Sequence, residues 1–416
     1  MRPTRRSRTG ALAALRLPNL RLLLAGRAIS IVGDRMLAVA MAFAVLELGG
    51  SASAVGLVLA AGTLPLVASV LVGGVVADRL ARRSVMVGAD LLRMVSQGAI
   101  AALLIVGVAE IWMLATCAAI TGIGTGFFSP ASTGLLPEIV PAEQLQAANA
   151  LRSSAMSAGE IAGPLIGGVL VAAAGAGTAI AVDAATFAIS ALCLARLRLP
   201  AHVGRPAASF LGDLREGWEA FRARRWVWTF VVYFALGNMM WAAWSALGPV
   251  VADRELGGPD AWGAVLSAIG IGAVVGSLIA TQVDPVRPLV VVALAEGLFA
   301  LPLAFLASGA HVALLACGAF LAGVGLTLGT SVWESTFQRR IPADSLARVS
   351  SYDWFGSLAF YPLGLALWGP LAEGIGVRSA LWLAFACWTL LVTSLLLLPE
   401  TRRMRRAFVP PAERAA

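Results

Sequence analysis

Lysine is absent from this 416-residue chain, and all 31 of its basic residues are arginine. A P-loop needs a lysine on the nucleotide phosphates and a Schiff-base enzyme needs the amine itself, so both chemistries are excluded. Histidine is nearly absent: His202 lies in a polar central stretch and His311 at the outer end of an apolar run, too few and too far apart for a triad or a ligand set. The four cysteines, Cys117, Cys193, Cys317 and Cys387, fall within apolar runs without paired spacing and read as small core residues. No metal, cofactor or redox centre is expected. Charge is also scarce, at 13% of residues against 59% hydrophobic, with a mean hydropathy of +0.84. That composition excludes an ordinary soluble domain and indicates an integral membrane protein.

What the chain has instead is a series of apolar runs, each near the roughly 20 residues needed to cross about 30 Å of hydrocarbon. The first six are 20–46, 53–76, 84–107, 111–134, 149–173 and 177–197. Six more follow at 227–251, 261–282, 286–308, 311–334, 349–372 and 378–398. The expected fold is therefore an all-α membrane protein of twelve transmembrane helices. The first run does not read as a cleaved signal, because it is long and carries Arg27, Asp34 and Arg35.

A net charge of +8 could point to nucleic acid, but the distribution of arginine decides otherwise. Alternating the runs across a bilayer places 26 of the 31 arginines on one side, with only Arg254 and Arg378 on the other and Arg27, Arg35 and Arg93 inside runs. The positive-inside rule then puts both termini in the cytoplasm. No nucleic-acid partner is expected, and the tail arginines Arg402, Arg403, Arg405 and Arg406 are expected to rest on anionic lipid.

Five stretches organise the chain: a cytoplasmic N-terminal segment (1–19), a six-helix half (20–198), a cytoplasmic linker (199–225), a second six-helix half (226–398) and a basic cytoplasmic tail (399–416). The linker carries Phe210, Leu211, Leu214, Trp218 and Phe221 near one helical face, with Arg215 and Glu219 on another. It reads as an interfacial helix or a plain solvated linker. The halves echo one another. Pro141-Ala-Glu-Gln-Leu recurs as Pro342-Ala-Asp-Ser-Leu and Gly122-Ile-Gly as Gly323-Val-Gly, both 201 residues later, while Asp78 and Asp90 are matched by Asp284 and Glu296 at an offset of 206. Parallel repeats of this kind suit a transporter whose halves rock about a central site.

Two motifs carry a family resemblance. Gly74, Asp78, Arg79, Arg82 and Arg83 match the G-x-x-x-D-R-x-G-R-R loop between helices two and three of the major facilitator superfamily, with Ala81 in place of the second glycine. Read physically, the glycine permits close helix approach, the acid can accept from arginines or a helix N-terminus, and the arginines face the cytoplasm. The resemblance implies a latch that closes the cytoplasmic side against the segment near Ser350 and Ser351; a topology-setting charge cluster is the alternative. The second motif, Gly159, Gly163, Pro164, Gly167 and Gly168, fits the G-x-x-x-G-P-x-x-G-G pattern in helix five of the superfamily's exporters. It reads as a small-residue stripe bent by proline, with export as the implied direction or with packing alone. Phe127-Phe-Ser-Pro-Ala followed by Leu136-Pro-Glu is similar to the branch holding the enterobactin exporter and macrolide efflux proteins.

Many drug-proton antiporters of this superfamily carry an arginine in mid-helix four, and residues 118–126 contain none. Proton coupling needs other carriers. Asp34 lies near mid-depth of the first run, where a charge costs several kcal/mol unless neutralised, paired or wetted, and shares a face with Arg27, Ser30 and Met41. It is either the titrating group or part of a structural Asp–Arg network. Arg35 points about 100° away and needs a partner on another helix. Glu160, Asp183 and Glu296 are the other candidates, whereas Asp90 and Arg93 are expected to pair locally near the cytoplasmic end of the third run, and Glu334 and Asp353 to be boundary residues. Phe234, Asn238, Trp241 and Ser245 share a face of the seventh run and offer either an aromatic substrate surface with polar handles or core packing.

The expected function is a monomeric secondary transporter of a bacterial plasma membrane that exports a small organic molecule by proton antiport. The partners are that molecule, protons and membrane lipid. Uptake or lipid handling by the same fold, and a non-transporting membrane sensor or subunit, are the alternatives. An intramembrane enzyme is disfavoured, because no nucleophile-base or metal constellation appears.

Overall fold

In hydrocarbon a backbone must bond to itself, so long apolar runs become helices. The computed structural model describes residues 17–141, 144–197 and 218–405, with side chains at 71, 75, 77, 78, 343–345, 347 and 348 excepted. The first helices are α1 (Pro18–Glu47), α2 (Ala52–Arg79), α3 (Arg82–Val106), α4 (Ile111–Ile139) and α5 (Leu145–Ala195). They are followed by α6 (Arg225–Val251), which runs into a π-helical turn (Ala252–Leu256), then α7 (Pro259–Ala280), α8 (Pro288–Gly297) and α9 (Ala300–Ser308). The last are α10 (Val312–Arg340), α11 (Ala343–Leu358), α12 (Tyr361–Ile375), α13 (Val377–Leu397) and the short α14 (Pro399–Arg403). Among the described residues, eleven helical spans are long and apolar enough to cross a membrane, α8 with α9 (Pro288–Ser308) and α11 with α12 (Val349–Ile375) each counting as one.

One of the eleven, α5, holds 51 residues, which at 1.5 Å per residue is far longer than one bilayer crossing. It is broken at Gly175, whose φ of +78° and ψ of 162° suit glycine alone. Contacts with α1 trace the reversal. Gly159 lies on Ile31, Gly167 on Met36, and the N–H of Ala176 donates to the Glu47 carboxylate at 3.0 Å; beyond that cap the chain returns, placing Asp183 at Gly33 and Cys193 at Gly26. The runs expected at 149–173 and 177–197 are thus two antiparallel arms of α5. Turns elsewhere follow ordinary capping chemistry, with left-handed Gly107 and Gly309 ending α3 and α9, and Ser51 accepting from the N–H of Ala54.

Two runs that read as continuous are interrupted. The ninth splits into α8 and α9 around Leu298–Phe299, and the eleventh into α11 and α12 around residues 359–360. Hydrophobicity does not change across either break; the one sign in the sequence is a proline just beyond each, Pro302 and Pro362, which has no N–H for the carbonyl four residues earlier.

The chain forms two compact units. The first joins residues 1–206 to 245–267 and 365–374, and the second joins 207–244, 268–364 and 375–416. In the first, the end of α6 and the start of α7 lie on the N-terminal helices: Gly168 abuts Asp260 and Gly263, and the Ser267 hydroxyl donates to the Ile161 carbonyl at 2.7 Å.

The internal repeat has a packing basis. In the first unit Gly122 lies on the Gly62 carbonyl of α2 and Gly124 on the Ala89 carbonyl of α3; in the second, Gly323 lies on the Ile269 carbonyl of α7 and Gly325 on the Ala295 carbonyl of α8. The paired glycines thus let one central helix touch two neighbours in each unit, and Ala89 and Ala295 keep the 206-residue offset that links Asp90 to Glu296. The proposed interfacial helix at 199–217 lies outside the described residues. Its last part, helical at 218–222, sets Trp218 and Phe221 against Tyr352 with ring centroids 5.6 Å apart.

Candidate functional site

The first unit encloses a cluster of charged side chains among its apolar helices. Asp34 of α1 has Arg27, two turns earlier on its own face, at 3.9 Å and Arg93 of α3 at 3.6 Å. Arg93 also forms an ion pair with Asp90, and both side chains are fully buried. Its guanidinium is held between two rings, 4.6 Å from the centroid of Phe128 and 4.2 Å from that of Phe187, an arrangement that replaces lost hydration with ring quadrupoles. Arg27 also faces Phe128, at 5.0 Å. Asp183, on the second arm of α5, is buried at Gly33; the Thr186 hydroxyl donates to its carbonyl, and its Oδ2 has no hydrogen-bond partner among the described residues.

Arg93 therefore differs from its expected role. It does pair with Asp90, but deep inside the bundle, and it also spans to Asp34 on another helix. Gly124 makes room for it, since a Cβ there would lie 2.8 Å from Arg93 Cγ. Arg93 of α3 thus lies directly against α4, whose residues 118–126 hold no arginine of their own.

Arg35 finds its partner in Glu160, at 3.0 Å, and this pair is half-exposed. The glycines beneath it close the α1–α5 seam: a Cβ at Gly163 would lie 2.5 Å from Arg35 Cβ and 2.8 Å from the Val32 carbonyl oxygen, and one at Gly167 2.9 Å from Met36 Cα. Pro164 sits inside the same arm, and its own carbonyl lies on Gly263. These residues thus set the distance between Asp34, Arg35 and the two arms of α5.

The loop motif is distributed among several contacts. Arg82 pairs with Glu138 at 3.0 Å and donates to the Gly134 carbonyl, while Arg83 donates to the Ala195 carbonyl and, at 3.0 Å, to that of Leu197. Both arginines thereby satisfy carbonyls near helix C-termini, where cations are favoured. Arg79 is exposed and has no hydrogen-bond or ion-pair partner among the described residues. The Asp78 side chain lies outside the described residues. The close approach expected at Gly74 occurs one residue earlier. Nothing lies within 4 Å of a Cβ at Gly74, whereas one at Gly73 would lie 2.6 Å from the Gly126 carbonyl oxygen, because Gly73 faces α4 and Gly74 points elsewhere. In the second unit Asp284, the repeat counterpart of Asp78, pairs with Arg339 at 3.2 Å.

Glu296 occupies the Asp90 position of the second unit and is buried, with no ion pair among the described residues. It lies at the α8–α9 break, where its backbone carbonyl accepts from the Phe299 N–H at 3.1 Å and also from the Trp388 indole N–H at 2.9 Å. Trp388 belongs to an aromatic group with Trp241 and Phe299, whose ring centroids lie 4.8–6.4 Å apart. The buried Tyr233 hydroxyl has no hydrogen-bond partner among the described residues. Asn238 serves the other break, donating to the Ser357 carbonyl at 3.0 Å, and Phe234 packs edge-on to Trp333 at 5.2 Å. Three of the four residues expected on the seventh-run face thus have packing or capping partners in the second unit, while Ser245 belongs to the first. Asp353 is no plain boundary residue either: Trp333 Nε1 donates to it at 3.1 Å, whereas Glu334 is exposed.

A family model described as Major Facilitator Superfamily matches residues 23–359. The chain is a member of this superfamily. It is accordingly a multi-pass membrane transporter and not an enzyme. Superfamily relatives include macrolide efflux protein A of Streptococcus pyogenes, 24% identical over 391 residues that cover 92% of this chain and 95% of that one. Another is the multidrug efflux pump Tap of Mycolicibacterium fortuitum, 28% identical over 400 residues and covering 91% and 95%. Among solved superfamily folds, a bacterial homologue of the human lysosomal transporter Spinster aligns with a TM-score of 0.74 at 13% identity, covering 94% of this chain and 98% of that one. The nucleoside transporter NupG aligns with a TM-score of 0.71 at 13% identity, covering 91% and 98%.

Proposed function

We propose that this transporter exports a small organic molecule from the cytoplasm in exchange for inward-moving protons, working by alternating access as a monomer with both termini inside a bacterial plasma membrane. The observation that carries the reading is the Asp34–Arg93–Asp90 cluster, in which Arg93 and Asp90 are fully buried and Asp34 is partly exposed, with Asp183 beside it. Two acids share one fully buried cation, and a third acid has an oxygen without a partner, so a proton taken up by Asp34 frees Arg93 toward Asp90 without leaving a bare charge in the bundle. The shift is coupled to helix position because Asp34 adjoins Gly33 of α1, against which Asp183 of the second arm of α5 is packed. Arg35 with Glu160 forms a more exposed pair on that seam, and Glu296 holds the matching place in the second unit.

Export is supported by the helix-five glycine-proline pattern and by the efflux relatives named above. The loop from Gly74 to Arg83 is assigned to cytoplasmic gating, with Arg82 and Arg83 holding the helix ends and Arg79 left to engage. Phe234, Asn238, Trp241 and Ser245 remain the proposed substrate-contacting face.

The test uses the full-length protein in inside-out vesicles carrying an imposed proton gradient. Erythromycin and ethidium serve as probes for uptake into the vesicle lumen and for proton release. Gradient-driven accumulation that is lost in Asp34→Asn, with normal amounts of folded protein, is expected. No accumulation of either probe with a gradient present, or full activity in Asp34→Asn, overturns the reading.

A further inference from the structure

The cytoplasmic end of the second unit holds a cleft that transport itself does not use. Shallow and largely open to solvent, with a volume of about 700 Å³, it lies between the start of α6, the end of α10 and α14. Its charged lining includes Arg225, Arg340, Arg403 and Arg405 against a single acid, Glu400, with Trp226 on its apolar side. Glu400 is already engaged by Arg225 at 3.1 Å, so the excess positive charge is uncompensated within the cleft. Arg340 donates to the Arg405 carbonyl, which fixes the backbone after α14 and leaves the Arg405 side chain unused. Among the described residues, neither Arg403 nor Arg405 has a hydrogen-bond or ion-pair partner for its guanidinium.

Neighbouring arginines repel one another, so holding them together on folded elements favours an anion between them. The depth of the cleft narrows the anion's identity. Trp226 is packed edge-on against Trp333 at 5.5 Å and Phe337 at 6.3 Å, at the first turn of a membrane helix where tryptophan marks the headgroup level. Arg402, next in sequence, turns away to the Leu396 carbonyl at 2.6 Å and does not line the cleft.

We propose that this cleft binds a phosphate-bearing anion at the cytoplasmic membrane surface, with the phosphate oxygens accepting from Arg403 and Arg405. The bound anion ties α14 to the start of α6 and the end of α10, and so holds the tail against the second unit. A phospholipid headgroup and a soluble phosphate share this chemistry.

The test compares the purified full-length protein, wild type and Arg403→Gln/Arg405→Gln, in three settings: nanodiscs of phosphatidylcholine alone, nanodiscs with added phosphatidylglycerol, and phosphatidylcholine nanodiscs with pyrophosphate in the buffer. Thermal stability and tail mobility, followed by a spin label on the tail, are the readouts. The double variant keeps both the Arg225–Glu400 pair and the Arg405 carbonyl bond, so the fold is expected to survive. Stabilisation and tail immobilisation are expected from one anion source and weaken with salt. The variant should need roughly tenfold more of the anion for the same effect. A response to phosphatidylglycerol alone assigns the headgroup, and a response to pyrophosphate assigns a soluble phosphate. No response to either, or an equal loss in Arg402→Gln, overturns the proposal.

Discussion

Replacing Arg93 with glutamine removes the cation shared by two acids in the first unit's cluster. Its guanidinium is fully buried, touches Asp90, lies 3.6 Å from Asp34 and faces two rings at 4.6 Å and 4.2 Å. Breaking one side of a buried pair costs about 3–5 kcal/mol, mostly because the remaining carboxylate has lost both water and partner. The ring contacts add about 0.5–2 kcal/mol each when desolvated. Arg93→Gln is therefore expected to cost roughly 4–9 kcal/mol. Asp90→Asn in that background removes the stranded charge and is expected to restore about 2 kcal/mol. Denaturant titration in detergent, read by tryptophan fluorescence for both single variants and the double, measures the cycle. A loss below about 1 kcal/mol in Arg93→Gln, or a double variant whose losses simply add, refutes the view that Arg93 neutralises this cluster. Transport separates stability from coupling: the double variant should regain folding but not proton-linked movement, because Asp34 has lost the cation it shares with Asp90 and keeps only Arg27, at 3.9 Å.

The two glycines before the loop give a paired test. Gly73→Ala drives a methyl into the α4 backbone and should cost about 1–3 kcal/mol, whereas Gly74→Ala meets nothing within 4 Å and should lie within about 0.5 kcal/mol of wild type; equal melting temperatures in detergent would contradict the assigned contact. Gly163→Ala combined with Gly167→Ala should push α1 from α5 and abolish transport while the protein still inserts, as substrate-accumulation assays would show. Arg35→Gln, which loses only a half-exposed pair, should change stability by less than about 1 kcal/mol. Trp388→Phe removes one of two donors on the Glu296 carbonyl, which keeps the Phe299 N–H at 3.1 Å, and should cost about 0.5–1.5 kcal/mol, a drop visible in the same melting assay.

Part of the candidate site is legible in residue spacing. Helical spacing alone puts Arg27 on the Asp34 face, and the direction of Arg35 requires a partner on another helix. That the partner is Glu160 depends on how the α5 glycines dock against α1. Asp90 and Arg93, three residues apart, read as a local pair, because spacing along one helix says nothing of what the helix faces; Arg93 gains Asp34, Phe128 and Phe187 only through packing. The interruptions at residues 298–299 and 359–360 leave no trace in hydropathy, since both sides of each are apolar.

Sequence by itself determined the class of the molecule, its helical runs, its arginine asymmetry and its internal repeat. These follow from local transfer energies and from residue spacing, which need no knowledge of neighbours. Only the tertiary structure decided which acids share a cation, which glycines are contacts and that the ninth and eleventh runs are each interrupted. Each of those depends on atoms far apart in the chain, and burial makes a charge costly or stable according to what lies within a few ångströms of it.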